Sequence, residues 1–403
     1  MEIKIDKSSW KKVCLGDVAF EYSKRTNNPS ESGLERFVGN SNIGQWDFRV
    51  KTWEPTDSVT SAMKLFEPND YLLVRRSLYA SDFRERAPRA HFAGVCSGDI
   101  ITIRENSDYI ADGFLIGVLN SPALWKFVVA NASGSITRRI KWKDLANFEF
   151  LLPPKEQQTE LANLIWSMEA VIEKESNVYN STNVAKSSLF ENMLNKHDDG
   201  VTLEKATIEG ITSPTKHSCV GGPFGSDLSG KHYVEEPGVP VIRGANLSKG
   251  EVKFIDDGFV YVSSDKADSL SRNLAFRGDI VVTQRGTMGQ VGLIPEDSKF
   301  DRYVVSQSQM KLKVDTDKAV PEYIYYYLLS SRSQRELEVS TICTGIPHIN
   351  LGIFKKMKIL IPSIKLQKDI VRRIELFEVS LKKLRIQMNK SKALQKSLII
   401  KVF

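Results

Sequence analysis

The sequence predicts an α/β (α+β) chain in which one plan is used twice: a mixed α/β globule, a long helix, a second globule and a second long helix. Three observations predict it. Residues 150–194 and 359–403 align without a gap, pairing Pro153 with Pro362, Gln158 with Gln367, Lys174 with Lys383, Asn180 with Asn389 and Leu189 with Leu398, each pair 209 residues apart. Both copies open on proline and carry apolar residues at helical spacing. Each follows a longer, turn-rich region with short strand-like runs. A chain of 403 residues is long enough for two or more cores.

The first globule is placed at 1–152. It opens with KKVCLGDVAF, anchored by Val13, Leu15 and Val18, and continues through strand-like runs at 36–43, 71–75 and 99–103. Residues 111–132 have helical spacing at Leu115, Leu119, Leu124, Phe127 and Val128, with Ser121-Pro122 as a helix start. SGSITRRIKWKDLANFEF then supplies a basic loop, a short helix and a strand. The first long helix, 153–196, follows Pro153-Pro154, and its seam runs through Leu161, Ile165, Met168, Ile172, Tyr179 and Leu189.

The second globule is placed at 197–361. It begins at the turn HDDGV and has strand-like runs at 239–242, 259–262 and 279–283. PEYIYYYLLSS (321–331) is the counterpart of the 111–132 helix, and TGIPHINLGIFKKMKI (344–359) takes the place of the basic loop. The second long helix, 362–403, has the cleaner seam: Leu366, Ile370, Ile374, Phe377, Leu381, Leu384, Met388 and Leu398 follow a repeat of about 3.5 residues. A helix of ~40 residues extends about 60 Å. Alone it cannot bury such a seam, so the two helices are expected to pair in a coiled coil.

The duplication reaches into the globules. LFEPNDYLLVRR (65–76) lines up with LAFRGDIVVTQR (274–285), placing Asp279 209 residues after Asp70. FVGNSNIG (37–44) resembles VIRGANLSKG (241–250), with Asn42 opposite Asn246 at a shift of 204. A common frame with different residues in most other positions suggests one scaffold carrying two recognition surfaces.

Composition narrows the function. Lys and Arg number 56 against 49 Asp and Glu, a formal charge of +7 that is compatible with nucleic acid. Cys14, Cys96, Cys219 and Cys343 are scattered without a CxxC pair, so no zinc site or disulfide framework is expected and a reducing compartment fits. The N-terminus lacks a signal-peptide core, and no apolar run reaches the ~18 residues that span a bilayer. A cytoplasmic protein with no membrane partner is expected.

Enzymatic readings find little support. GSDLSGKH (225–232) matches part of a phosphate loop, but His232 stands where Ser or Thr would hold magnesium, and Pro237 interrupts any following helix. Asp227, Glu251 and Lys253 could imitate a metal-dependent nuclease. No [DN]PP[YF] stretch or glycine-rich cofactor loop for adenine methylation is present, the five histidines do not cluster as ligands, and serine nucleophile elbows are absent. No catalytic or metal residue is therefore assigned. What remains is a surface of loops rich in arginine. Arg75 and Arg76 end a strand-like run, Arg84, Arg86 and Arg89 follow in SDFRERAPRAH, and Arg138, Arg139 and Lys141 lie in SITRRIKWK. In the second half Arg243, Arg285, Thr287, Arg302, Gln307 and His348 occupy comparable loops, beside Gln309. Arg, Gln and Asn present the bidentate groups that read guanine and adenine edges, while Lys and hydroxyls suit phosphates.

On these residues the chain resembles the specificity subunits of Type I restriction–modification enzymes, over essentially its whole length. The most specific parts are LLPPKEQQTELANLI, LIPSIKLQKDIVRRI, GDIVVTQRGTMGQVGLIP (278–295) and the GGPFGS turn (221–226). The family's Glu-Gln pair is kept in Glu156-Gln157-Gln158, whereas the second copy reads Lys365-Leu366-Gln367. The resemblance implies two target recognition domains joined by conserved spacer helices that pack antiparallel. Each domain would read one half of a bipartite, asymmetric site in double-stranded DNA, and helix length would set the gap. It further implies a non-catalytic chain that docks two modification (methyltransferase) subunits, with partner contacts at Gln158 and Gln367, and restriction/translocase subunits beyond them. S-adenosylmethionine, ATP and Mg would be carried by those partners. A specificity arm of a related phage-defence or single-chain restriction–methylation system, the divergent nuclease, and an adaptor joining two protein-binding domains remain open at this point.

Overall fold

Both proline-headed segments form single helices, Lys155–Asn195 and Ile364–Val402. Proline suits a helix entrance because the first N–H groups have no partner within the helix. The computed structural model describes residues 6–76, 85–135, 137–195, 203–235, 238–250, 252–343 and 345–403. The chain divides into two units, Met1–Val178 with Leu384–Phe403, and Tyr179–Lys383. Each long helix therefore contributes one end to each unit.

Among the described residues, the first unit holds a five-stranded sheet in the order Arg25–Thr26, Met63–Phe66, Gly94–Cys96, Arg36–Val38, Glu54–Pro55. A three-stranded sheet, Ala19–Glu21, Ile100–Glu105, Tyr71–Val74, packs beside it. The second unit repeats this plan: Val239–Ile242 runs parallel to Tyr303–Val305, as Arg36–Val38 runs parallel to Gly94–Cys96. Tyr71–Val74 pairs with Ile100–Glu105, and Ile280–Thr283 pairs with Gln309–Leu312. The first strand of each unit closes against the strand just before its long helix, Lys11–Cys14 on Glu149–Leu152 and Glu204–Thr207 on Lys358–Ile361.

The residues that matched across the repeat are turn-makers. Asp70 accepts from the Glu67 N–H at 2.8 Å and Asp279 from the Phe276 N–H at 3.0 Å, each just before an apolar strand. Asn42 accepts from the Gly39 N–H at 2.8 Å, and Asn246 from the Arg243 N–H at 3.0 Å. That turn corrects one expectation. The strand-like run 36–43 ends at Val38, because the Asn42 side chain folds Asn40–Asn42 into a 3-10 turn. The five-residue shift arises between Asn42 and Leu65 in the first unit and Asn246 and Leu274 in the second. There the second unit adds a capped helix, Ser264–Ser269, where the first has only a 3-10 turn at Thr56–Ser58.

Residues 111–132 form two helices, Leu115–Leu119 and Pro122–Asn131, with Ser121 capping the second by accepting from the Leu124 N–H. Pro321–Leu329 and Ser331–Val339 repeat the pair, capped by Ser330. Their buried faces join the core of each unit, and both cores include the long helices. Ala162, Ile165, Leu398, Ile399 and Val402 are buried together in the first; Phe190, Leu194, Ile370, Val371 and Ile374 in the second. Within each unit the helix ends run antiparallel. Gln395 Nε2 donates to Glu169 Oε2 at 3.1 Å and Ser391 Oγ bonds Glu175 Oε1 at 3.1 Å in the first unit, while Lys186 faces Glu378 at 4.0 Å in the second. The seam is not wholly apolar, since Glu169 and Gln395 are both buried in it. Burial pushes the Glu169 carboxyl above its ordinary range, and the bond from Gln395 opposes the shift.

Gln158 and Gln367 do not present their amides to a partner, which corrects the partner-contact assignment. Both are buried. Gln158 Oε1 accepts from the Ala111 N–H at 2.9 Å, and its Nε2 donates to Pro153 O at 2.9 Å and Tyr109 O at 3.2 Å. Gln367 Oε1 accepts from the Val320 N–H at 2.8 Å, and its Nε2 donates to Pro362 O at 2.8 Å. Ala111 and Val320 are again 209 residues apart. Each glutamine ties a helix entrance to the loop that starts the shorter helices.

Gln158→Ala strands a buried N–H and two carbonyls, so a loss of about 2–3 kcal/mol is expected, read as a lower urea midpoint. Gln367→Ala should act likewise. Glu169 is a raised carboxyl, so its contribution is favourable below its ordinary value of 4.5 and is lost as pH rises through the raised one. Glu169→Gln should therefore stabilise the protein at pH 7, by on the order of 1 kcal/mol. The gain should shrink as pH falls toward 4.5. Lower thermal stability of the variant at pH 7 would contradict this.

Candidate nucleic-acid interface

The strand Tyr71–Val74 ends on Arg75 and Arg76, and two segments distant in sequence meet it there. The Arg75 N–H donates to Asp99 O at 3.0 Å, and the Ile140 N–H donates to Arg75 O at 3.2 Å. Arg76 forms an antiparallel bridge with Arg139, which is itself bridged to Ser133. Both side chains turn onto Asp99: Arg76 Nη1 lies 2.8 Å from Oδ2, and Arg139 Nε lies 3.0 Å from Oδ1. Lys141 is exposed beside them, at the start of the helix Trp142–Leu145. Arg138 points elsewhere, donating from Nη2 to Ala132 O at 2.7 Å. Arg75 is half-buried, and its Nε is enclosed without a hydrogen-bond partner among the described residues.

The second unit builds the same junction with other side chains. The Gln284 and Arg285 N–H groups both donate to Ser308 O, at 2.7 and 3.1 Å. Arg285 is bridged to His348, which is bridged to Ile342. Arg285, Ser308, His348 and Ile342 stand 209 residues after Arg76, Asp99, Arg139 and Ser133. Exposed Thr287 lies in the loop that follows, where the Gly286 N–H donates to Pro347 O at 3.0 Å. Arg243 enters from the neighbouring strand end, because the Ser306 N–H donates to Ile242 O at 3.0 Å. Its Nε is enclosed without a hydrogen-bond partner among the described residues.

Arg89 and Gln307, like Arg138, are taken up by contacts within the fold, and Arg302 by a partly exposed ion pair. Arg89 has a side chain only 11% exposed, and it pairs with Asp112 and lies 3.6 Å from Glu105. Burial raises the Glu105 carboxyl, which accepts from the Tyr71 hydroxyl at 3.0 Å and the Gly113 N–H at 3.1 Å. Gln307 donates to Gly225 O at 2.7 Å and to Leu228 O, so it fastens the glycine-rich turn. Arg302 precedes the strand Tyr303–Val305, at the opposite end from Ser306, and pairs with Asp268 at 2.6 Å. Gln309 is buried, accepting from Ser306 Oγ. Arg86 is half-buried, its carbonyl accepting from the Val74 N–H at 3.0 Å. Arg84 lies outside the described residues.

Asp99, Gln284 and Ser308 were absent from the sequence assignment; applying the 209-residue shift to Arg76 and Arg139 would have indicated their junction. Phe224 was also missed. It is 85% exposed on the turn that Gln307 fastens. Of the nuclease residues, Glu251 lies outside the described residues. Lys253 Nζ is 2.8 Å from Glu375 on the second long helix, and Asp227 is exposed. No group of three His, Cys, Asp or Glu that could hold a metal occurs among the described residues. Gly230–His232 is a short 3-10 turn, so the phosphate-loop-like stretch opens no helix. No described helix is long and apolar enough to cross a membrane.

Residues 229–389 match the family model described as Type I restriction modification DNA specificity domain. That stretch, well under half of the chain, is similar to the specificity domain. The match begins after Leu228 and includes Arg243, Arg285, Ser308 and His348. The chain is 26% identical over 138 residues to the EcoBI specificity subunit of Escherichia coli, covering 34% of this chain and 28% of that protein. It is 22% identical over 295 residues to the MjaVIII specificity subunit of Methanocaldococcus jannaschii, covering 70% and 67%. The first of these matches thus spans under a third of its relative. Among solved structures, the S subunit of a Type I system from M. genitalium has a TM-score of 0.56 at 14% identity, covering 100% of this chain and 98% of that one. A chain solved for complex assembly and conformational transition of a type I system has a TM-score of 0.55 at 16% identity, covering 100% and 99%. The fold of those two solved chains therefore extends over residues 1–178 too, where the family model does not reach.

The burial contrast separates structural from surface arginines. Arg89→Ala leaves the Glu105 carboxyl enclosed without its cation, a loss of about 3–5 kcal/mol. Arg76→Ala removes a half-exposed ion pair and should change stability by under ~1 kcal/mol. Denaturant unfolding of the two variants checks both.

Proposed function

We propose that the chain is the DNA-specificity subunit of a Type I restriction–modification complex, each unit reading one half of a bipartite, asymmetric site. The observation that carries this reading is the duplicated junction. One backbone arrangement presents Arg76 and Arg139 in the first unit and Arg285 and His348 in the second. A shared frame with different donors is what reading two different half-sites requires. Arginine on a strand-end loop can address guanine bidentately, and Lys141 and Thr287 suit phosphate. Arg75, Arg86 and Arg243 complete the proposed DNA surface. Arg89, Arg138 and Gln307 support it from within the fold, and Arg302 is held in a surface pair with Asp268.

The chain itself is non-catalytic on this reading and works in the cytoplasm. Two modification subunits bring S-adenosylmethionine and methylate adenine; restriction subunits add ATP- and Mg-dependent translocation and cleavage. Exposed apolar residues support a docked partner on the helices. In the first unit, Leu164, Val171 and Val178 recur every seven residues on one helix, and Ile386 and Ile400 are exposed on the other. Helix length sets the unspecified gap between half-sites.

Modified-base sequencing of DNA treated with the assembled complex tests this. Arg76→Ala should weaken or relax one half-site and Arg285→Ala the other, each by about 5- to 100-fold at the affected bases. Deleting one heptad within 366–398 should change the gap and leave both half-sites intact. A complex with no sequence preference, or a deletion that alters a half-site at constant gap, would overturn the reading.

A further inference from the structure

The Arg76–Asp99–Arg139 cluster holds a residue that the DNA surface above does not use. Asp99 is the only carboxylate that the described side-chain contacts place between those two arginines. Its side chain is 16% exposed, against 44% and 46% for Arg76 and Arg139. The carboxylate is fixed from behind. The Asp99 carbonyl accepts from the Arg75 N–H, its own N–H donates to Ser97 Oγ at 3.2 Å, and the strand Ile100–Glu105 begins at the next residue. Its two oxygens are divided, Oδ2 to Arg76 Nη1 and Oδ1 to Arg139 Nε. A guanidinium has five N–H donors, so each arginine keeps enough for a bidentate contact after giving one to Asp99.

We propose that Asp99 is a positioning residue for base readout: it draws two mutually repelling guanidinium groups together and fixes the direction in which their remaining donors point. This inference rests on the specificity-subunit reading. Without the carboxylate, two like charges on adjacent bridged residues would swing apart, and each would lose its fixed aim. An arginine held in one orientation surrenders less freedom on binding and discriminates better between bases than a mobile one. The carboxylate also repels DNA phosphate, so it lowers sequence-independent attraction while raising discrimination. The second unit supplies the internal comparison. Ser308 holds the same backbone place, its carbonyl accepting from the Gln284 N–H as that of Asp99 does from the Arg75 N–H, and offers a hydroxyl in place of the carboxylate. Its neighbours are one arginine and one histidine, so no pair of permanent cations needs to be bridged there. The presence of Asp99 thus follows the presence of a second arginine.

The test uses the full chain assembled with its modification subunits. Asp99→Ser writes the second unit's residue into the first, and Asp99→Asn keeps one acceptor oxygen of similar shape. Two quantities are read: modified-base sequencing of both half-sites, and affinity for a duplex lacking the site as salt is raised. For Asp99→Ser, discrimination at one half-site should fall about tenfold, with the other half-site unchanged. Affinity for the site-free duplex should rise, and its log–log salt slope should steepen by up to about one. Asp99→Asn should fall between wild type and Asp99→Ser. Tighter site-free binding with full discrimination would reduce Asp99 to a charge and overturn the proposal. Loss at both half-sites together with lower thermal stability in both variants would make it structural, with the same result. A wild-type complex lacking any sequence preference would fail the underlying reading first, and is told apart by needing no variant.

Discussion

A glutamine side chain sealed from water has donors and an acceptor to satisfy, and Gln158 and Gln367 use theirs across a joint. The proline carbonyl two residues before each helix takes one donor. The backbone N–H opening the helical layer of the globule binds the acceptor. Neither contact can be made by a helix that has rotated or slid, because the buried groups would lose partners worth about 1–3 kcal/mol each. The direction in which each helix leaves its globule is thereby fixed by hydrogen bonding as well as by apolar packing. Around this joint the apolar cores close: Ile165 on one helix and Ile370 on the other are buried among residues of the short helices and strands.

The surface proposed for DNA lies at the far ends of strands that the turn aspartates begin. Asp70 and Asp279 shape the turns leading into Tyr71–Val74 and Ile280–Thr283, and those strands end just before Arg75 and Gln284. A rigid strand of four residues thus separates a structural turn from a recognition loop. Side chains in the loop can change while the turn and the strand stay the same. The buried Tyr71–Glu105–Arg89 group shows the limit of that freedom. It belongs to the first unit only, since Ile280 and Val314 stand at the positions of Tyr71 and Glu105 in the second.

The repeat carried much of the fold in legible form. The shift of 209 residues located both helices and paired Asp70 with Asp279, because each depends on local residue type and spacing; the parallel strand pairs, which join segments distant in sequence, were not foreseen. The candidate site was only partly legible. Arg76, Arg139, Arg285 and His348 were named, but that they meet in pairs is set by strand pairing across tens of residues. Arg89 and Arg76 look alike in sequence; one is enclosed by Glu105 and Asp112, the other half-exposed, and only the fold distinguishes them. Gln158 and Gln367 misled for a related reason. A glutamine recurring at a helix start reads as a surface contact unless the loop it bonds is known. Glu169 went unnoticed because a charged residue at a seam position looks like an exposed face until Gln395 is seen beside it.

The first unit is discontinuous in sequence, and that has a consequence for how the chain is made. Its core includes Leu398, Ile399 and Val402, and the Phe403 ring lies 5.4 Å from Phe114 in an edge contact. Residues 1–178 therefore leave the ribosome with part of their apolar surface uncovered, and that surface waits while residues 179–383 are synthesised. The second unit, which needs only residues 179–383, has its whole sequence available before the first does. Residues 1–178 thus complete their unit only after residues 179–383 have been made, by a contact of very long sequence separation whose closure is intrinsically slow. During that interval the uncovered face is exposed to chaperones and to other nascent chains.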